Sequence, residues 1–78
     1  MKELVELIAR KLVEHPDDVQ VAALDGEEGQ DSAIELRVHP DDMGRVIGKS
    51  GKTAKAMRTL VSSAASKAGV HVSLRIVE

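Results

Sequence analysis

Apolar residues recur along the chain with two periods, and the switches between them divide it into six segments. Residues 1–14 set Leu4, Val5, Ile8, Leu12 and Val13 at helical spacing among Lys2, Glu3, Glu6, Arg10, Lys11 and Glu14, which predicts one amphipathic helix. His15 precedes Pro16 and is biased out of the helical region, so this helix should stop there. Asp17 and Asp18 lead into residues 19–24, where Val19, Val21 and Ala23 share one face of a short strand. Residues 25–32 are an acidic stretch with two glycines, too long for a two-residue turn but suited to a hairpin loop. Over 33–39, Ile34, Leu36 and Val38 alternate with Glu35, Arg37 and His39, the clearest period-two signal in the chain and the expected central strand.

The second half is helical first. Pro40, Asp41 and Asp42 read as a helix start, because proline suits the first turn and aspartates there complement the dipole. This short helix carries Met43, Val46 and Ile47 and ends at Gly48. Residues 52–68 then place Ala54, Met57, Leu60, Val61, Ala64, Ala65 and Ala68 at three- and four-residue spacings, with Gly69 as the stop. In 70–77, Val70, Val72, Leu74 and Ile76 alternate with His71, Ser73 and Arg75 as a closing strand. The order is α-β-β-α-α-β, an α+β fold. A hairpin of the first two strands, and a return through two helices, give a three-stranded mixed sheet with three helices packed on one face. At 78 residues the chain should be one domain, 1–78, with a modest core.

Charge changes this picture. The formal net charge is -2, but residues 43–69 contain six basic side chains (Arg45, Lys49, Lys52, Lys55, Arg58 and Lys67) and no acid, while the remainder carries -8. A basic island on an acidic body suits a local polyanion footprint, whereas a merely solvated helix face usually alternates signs. The chain has no cysteine, so a disulfide framework and a thiolate metal site are excluded. His15, His39 and His71 are far apart and share no metal-ligand spacing, which predicts surface histidines; for Asp41 and Asp42, capping is a better account than a metal-binding carboxylate pair. No metal or cofactor is expected, and no nucleophile, base and acid fall in a recognisable catalytic pattern. With charge close to the start and no long apolar run, a soluble, cytoplasmic protein without membrane association is expected.

The basic island centres on Arg45-Val46-Ile47-Gly48-Lys49-Ser50-Gly51-Lys52-Thr53. Glycines at 48 and 51 permit positive φ and close approach of another backbone. The amides that open the following helix point outward, so the turn is a natural phosphate seat. Lys52 and Lys55 near a helix N-terminus are unfavourable by about 0.3 to 1 kcal/mol each, a rule-breaking feature that an anion there would relieve. The nucleotide-hydrolase phosphate loop, GxxxxGK[ST], fails by position: its leading glycine would fall at Val46 or Met43. With no aromatic residue, base stacking of the kind used by RRM and cold-shock surfaces is excluded.

The Val46-Ile47-Gly48-x-x-Gly51 stretch resembles the signature of KH domains, whose GXXG loop clamps about four nucleotides. The segment order is that of the type II KH arrangement, and the resemblance covers essentially the whole chain. Together with the stretch HPDDMGRVIGKSGKTAKAMR it is similar to the KhpA family of small stand-alone bacterial KH proteins. The resemblance implies a non-enzymatic, RNA-binding protein that grips single-stranded RNA, acting as an RNA chaperone or regulator. Gly48 and Gly51 would shape the clamp, Lys49 and Ser50 would meet phosphates, and Arg45, Lys52 and Lys55 would supply positive field. Val46 and Ile47, with the 33–39 strand, would floor an aliphatic groove for bases, although the same side chains suit an ordinary core. The resemblance further implies a partnership with a KhpB-like KH protein. Because one domain gripping about four nucleotides gains little affinity alone, a homodimer or a heterodimer with another KH protein is expected on the outer face of residues 58–66, where small residues at 62–66, with Val61 as apolar anchor, allow close approach or simply let the helix sit tightly on its own sheet. The alternative function is a protein-interaction adapter whose basic island docks an acidic partner.

Overall fold

The central strand, β2 (Ser32–Arg37), is hydrogen-bonded on both sides in the computed structural model, which describes residues 1–24 and 32–78. Most of the acidic hairpin stretch, 25–31, lies outside the described residues. β1 (Gln20–Leu24) pairs antiparallel with β2, and β3 (Val72–Val77) pairs parallel with it, giving the mixed order β1-β2-β3. The register puts Val21 opposite Leu36, and Ile34 and Leu36 opposite Leu74 and Ile76. One sheet face is therefore apolar, while Arg37, Ser73 and Arg75 are exposed on the other.

Three helices cover the apolar face. They are α1 (Lys2–Leu12), the short α2 (Met43–Ile47) and α3 (Lys52–Lys67). A single cluster gathers Val5 and Ala9 of α1, Val46 of α2, and Met57 and Val61 of α3 against Ile34, Leu36 and Leu74. Leu36 is fully buried, and truncating such a leucine to alanine typically costs about 2 to 5 kcal/mol. The α+β class, strand order and helix count agree with the sequence reading.

Several boundaries shift, and at the end of α1 and the start of β3 the cause is a backbone group that finds a different partner. α1 ends at Leu12 instead of Glu14: the amides of Glu14 and His15 donate to the Asp42 carboxylate, at 3.1 and 3.0 Å, and leave the helical ladder. β3 begins at Val72 instead of Val70. Gly69, at φ 76°, closes α3 in a Schellman turn, with Gly69 N–H donating to Ser66 O and Val70 N–H to Ala65 O, each at 3.0 Å. β2 ends at Arg37, yet Val38 N–H still donates to Val77 O and its side chain is buried. Leu60 and Ala68, expected on the apolar face of α3, are exposed. The inward line runs Ala54, Met57, Val61, Ala65, and Leu60 stands about 100° round the helix from Val61.

Asp42 is 1% exposed, the one buried charged residue among those described. Its side chain does not cap its own helix, as the sequence pattern suggests. The cap at that turn is His39, whose Nδ1 accepts the Asp41 N–H at 3.0 Å, while Asp42 reaches across to the end of α1. Burial alone would raise the Asp42 pKa, but the Glu14 and His15 amide donors, with His15 and His39 nearby, outweigh it and hold the carboxyl below its usual range.

A depressed carboxylate stabilises the fold fully above its unfolded pKa, about 3.9, and that contribution disappears as pH falls through the lower folded value. The melting temperature should accordingly drop below about pH 4. Asp42→Asn should melt lower than wild type at neutral pH and show a smaller acid drop. Identical melting curves for the two proteins from neutral pH to pH 3 would show that the junction does not depend on this charge.

Candidate functional site

The turn between α2 and α3 is built from three positive-φ residues within four positions. Gly48 sits at φ 78°, ψ 172°, a region essentially restricted to glycine. Ser50 (φ 56°, ψ 26°) and Gly51 (φ 75°, ψ 12°) are left-handed. Gly48 N–H closes α2 on Gly44 O at 2.9 Å, and Gly51 N–H returns to Gly48 O at 3.1 Å. Residues Lys49–Gly51 thus form a single 3-10 turn. Among the described residues, the N–H groups of Lys49 and Ser50 have no protein acceptor.

The two glycines are required for different reasons. A Cβ on Gly48 would lie 2.2 Å from Thr53 Oγ1, 2.7 Å from its Cβ and 2.9 Å from its backbone nitrogen. Gly48 therefore also lets the turn fold back on the first turn of α3. A Cβ on Gly51 meets nothing within 4 Å, so only its dihedral angle demands glycine. No side chain caps α3, and no acid stands in its first turn, so the positive helix end and Lys52 and Lys55 face the same solvent region.

The residues singled out from sequence divide into two groups. Lys49, Ser50, Lys52 and Lys55 are exposed around the turn, and Ile47 beside it is 38% exposed. Val46 is fully buried and belongs to the core, so it anchors α2 and its side chain does not line an open groove. Arg45 is turned away from the loop: its guanidinium pairs with Glu14, and its Nε lies 3.9 Å from Asp42 Oδ1. Its charge is partly neutralised there, and the uncompensated field at the turn comes from Lys49, Lys52 and Lys55. Ile34, Leu36 and Val38 are buried core residues. Val61, expected as an exposed anchor on α3, is 1% exposed inside its own core, as is Ala65.

The histidine pairing was invisible to sequence spacing. His15 and His39 stack with ring centroids 4.2 Å apart, 24 positions apart in the chain. A signal did exist: His-Pro-Asp-Asp occurs twice, at 15–18 and 39–42. Each copy folds as a 3-10 turn opened by its histidine, and the two turns meet.

Comparison with known proteins yields one family and close relatives. The KhpA/KhpB KH-domain model matches residues 2–76. A Halalkalibacterium halodurans protein named RNA-binding protein KhpA is 56% identical over 78 residues, covering all of both chains. Proteins of the same name from Clostridium perfringens (52% over 77 residues, 99% of this chain and 100% of the relative) and Aquifex aeolicus (44% over 78 residues, 100% and 96%) are also similar. No solved structure shows a significant match.

The glycine geometry orders two substitutions. Gly51→Ala should destabilise the fold by about 1 to 2 kcal/mol through its dihedral alone. Gly48→Ala should cost clearly more, because it adds the collision with Thr53. Urea unfolding of both variants checks the order, and equal losses would contradict it.

Proposed function

The chain belongs to the KhpA/KhpB KH-domain family, and from that premise we propose that it is a single-domain, non-enzymatic RNA-binding protein of the cytoplasm. In this reading the Gly48–Gly51 turn holds the phosphate backbone of single-stranded RNA. The observation that carries the proposal is the exposed 3-10 turn, whose Lys49 and Ser50 amides point away from any protein acceptor at an uncapped, lysine-flanked helix start. A phosphate there would accept from those amides, meet the positive end of α3, and sit beside Lys49, Lys52 and Lys55. Ile47 would offer apolar surface to a base. Arg45, held by Glu14 and Asp42, positions α2 and does not reach for phosphate. Among the described residues no helix is long and apolar enough to cross a membrane. The relatives carry the name RNA-binding protein, which favours nucleic acid over an acidic protein partner for the basic island. A role as RNA chaperone or regulator accords with binding that holds the backbone and is tolerant of sequence.

A domain gripping about four nucleotides gains affinity when a second, tethered domain binds the same strand. Pairing, either with a second copy or with a KhpB-like KH protein, fits the outer face of α3. Thr59, Ser62, Ser63 and Ser66 are exposed there, and Leu60, 49% exposed, replaces Val61 as the apolar anchor.

Binding should be titrated against a short single-stranded RNA at several salt concentrations. If Lys49, Lys52, Lys55 and Arg58 each neutralise a phosphate, log K should fall against log salt with a slope of roughly -3. Lys49→Asp combined with Ser50→Asp should abolish binding while leaving the circular dichroism spectrum unchanged. Wild-type affinity in that folded variant, or a flat salt response, would remove the clamp and leave the adapter reading. For assembly, sedimentation should show a species of twice the monomer mass that Leu60→Arg dissociates; a monomer with no KH partner would exclude pairing on this face.

A further inference from the structure

The two His-Pro-Asp-Asp turns bring together a set of donors that the RNA clamp does not use. The metal-ligating atoms of His15, His39 and Asp41 all lie within 4.8 Å of one another, and His39 Nδ1 is 3.7 Å from Asp41 Oδ2. Donors bound 2.0 to 2.1 Å from a tetrahedral zinc ion stand about 3.4 Å apart, so the His39 and Asp41 pair is already close to that spacing. Binding an ion requires the His15 and His39 rings, stacked with centroids 4.2 Å apart, to turn out of the stack so that their in-plane lone pairs converge, with exposed Asp41 following them.

From this we propose that His15, His39 and Asp41 form a binding site for zinc(II), clipping the end of α1 to the start of α2. The proposal is independent of RNA binding. Two imidazoles and a carboxylate match zinc and other borderline-soft divalent ions far better than magnesium, which prefers an all-oxygen shell. Three protein donors leave the remaining positions to water, as expected of an open site.

The surroundings favour a cation. The Asp42 carboxylate lies directly behind, accepting the His15 N–H at 3.0 Å, and Glu14 precedes His15 in the chain. Arg45 is the nearby opposing charge, and it is paired with Glu14. In this structure the His39 Nδ1 lone pair, at the edge of the cluster, accepts the Asp41 backbone N–H at 3.0 Å. An ion bound at Nδ1 would take over that lone pair, exchanging one neutral hydrogen bond for a metal bond. The backbone around the donors is held in place: Asp18 N–H donates to His15 O at 3.0 Å and Asp42 N–H to His39 O at 2.8 Å, so each turn presents its histidine from a closed 3-10 ring.

The test is calorimetric titration of the untagged full chain with zinc chloride in a non-chelating buffer, with magnesium chloride as control and thermal melts in parallel. One equivalent of zinc should bind, raise the melting temperature reversibly to EDTA, and shift the side-chain NMR resonances of His15 and His39 but not those of His71. His15→Gln and His39→Gln should each weaken binding by about tenfold or more, and His71→Gln should leave it unchanged. If either variant fails to fold, the ring resonances of the wild type decide the matter alone. The proposal is overturned if a several-fold excess of zinc gives no heat and no thermal shift, if binding survives both histidine substitutions, or if the shifted ring is that of His71.

Discussion

The arrangement of this domain depends on where one buried carboxylate finds its hydrogen bonds. Asp42 sits at the start of the segment that leads into the glycine turn, yet its oxygens accept from the amides that follow α1. A buried carboxylate without donors would be driven to protonate, and here two backbone N–H groups, with His15 and His39 nearby, keep it charged. The same contact ends α1, fixes the path into the first His-Pro-Asp-Asp turn and ties it to the second. Among the described residues every buried side-chain polar atom has a partner, so the junction carries no unpaired group that would reward rearrangement. α2 is only five residues long and could not be stable alone; its orientation comes from this junction at one end and from buried Val46 in its middle.

Fixing α2 fixes the turn that follows it. Gly48 departs from α2 in a conformation open essentially to glycine, and the absence of its Cβ brings the chain onto Thr53. α3 thus starts immediately, with no residue to spare for a side-chain cap. An uncapped helix start bearing lysines has an electrostatic cost in the isolated protein, about 0.3 to 1 kcal/mol for each charge in the first turn. An anion bound there would remove that cost, and through it the proposed clamp would couple the local geometry to a phosphate backbone.

Much of this could be read in the sequence because the signals are periodic. The alternation of Ile34, Leu36 and Val38, the spacing of Ala54, Met57, Val61 and Ala65, and the stop at Gly69 each depend on a short-range rule, and each matches the structure. What could not be read were long-range choices of partner. A capping aspartate and a bridging aspartate look alike in sequence, and only the fold shows that Asp42 bridges to the end of α1. Arg45 belonged by composition to the basic island, but the acid that pairs with it lies 31 positions earlier. Leu60 and Val61 are neighbours with similar apolarity, and only the direction of α3 on the sheet decides that one is core and the other surface. The duplicated His-Pro-Asp-Asp was legible as a repeat, but its meaning lies in the two copies touching, which no spacing rule contains.

The division between buried and exposed residues around the turn has a consequence for how such a domain can vary. Val46, Gly48 and Thr53 are constrained by packing and by the chain path, so altering them changes the fold before it changes any surface property. Lys49, Ser50, Lys52 and Lys55 touch nothing that the fold requires, although Ser50 must accept a left-handed backbone. Charge at the turn can therefore be adjusted without disturbing the packing, at the modest electrostatic level of about 0.3 to 1 kcal/mol per charge near a helix start. In a 78-residue chain with little stability to spare, that separation is valuable. The framework that orients the loop amides lies in α2 and the buried junction, and the side chains that would tune attraction to a polyanion in the proposed clamp stand outside it.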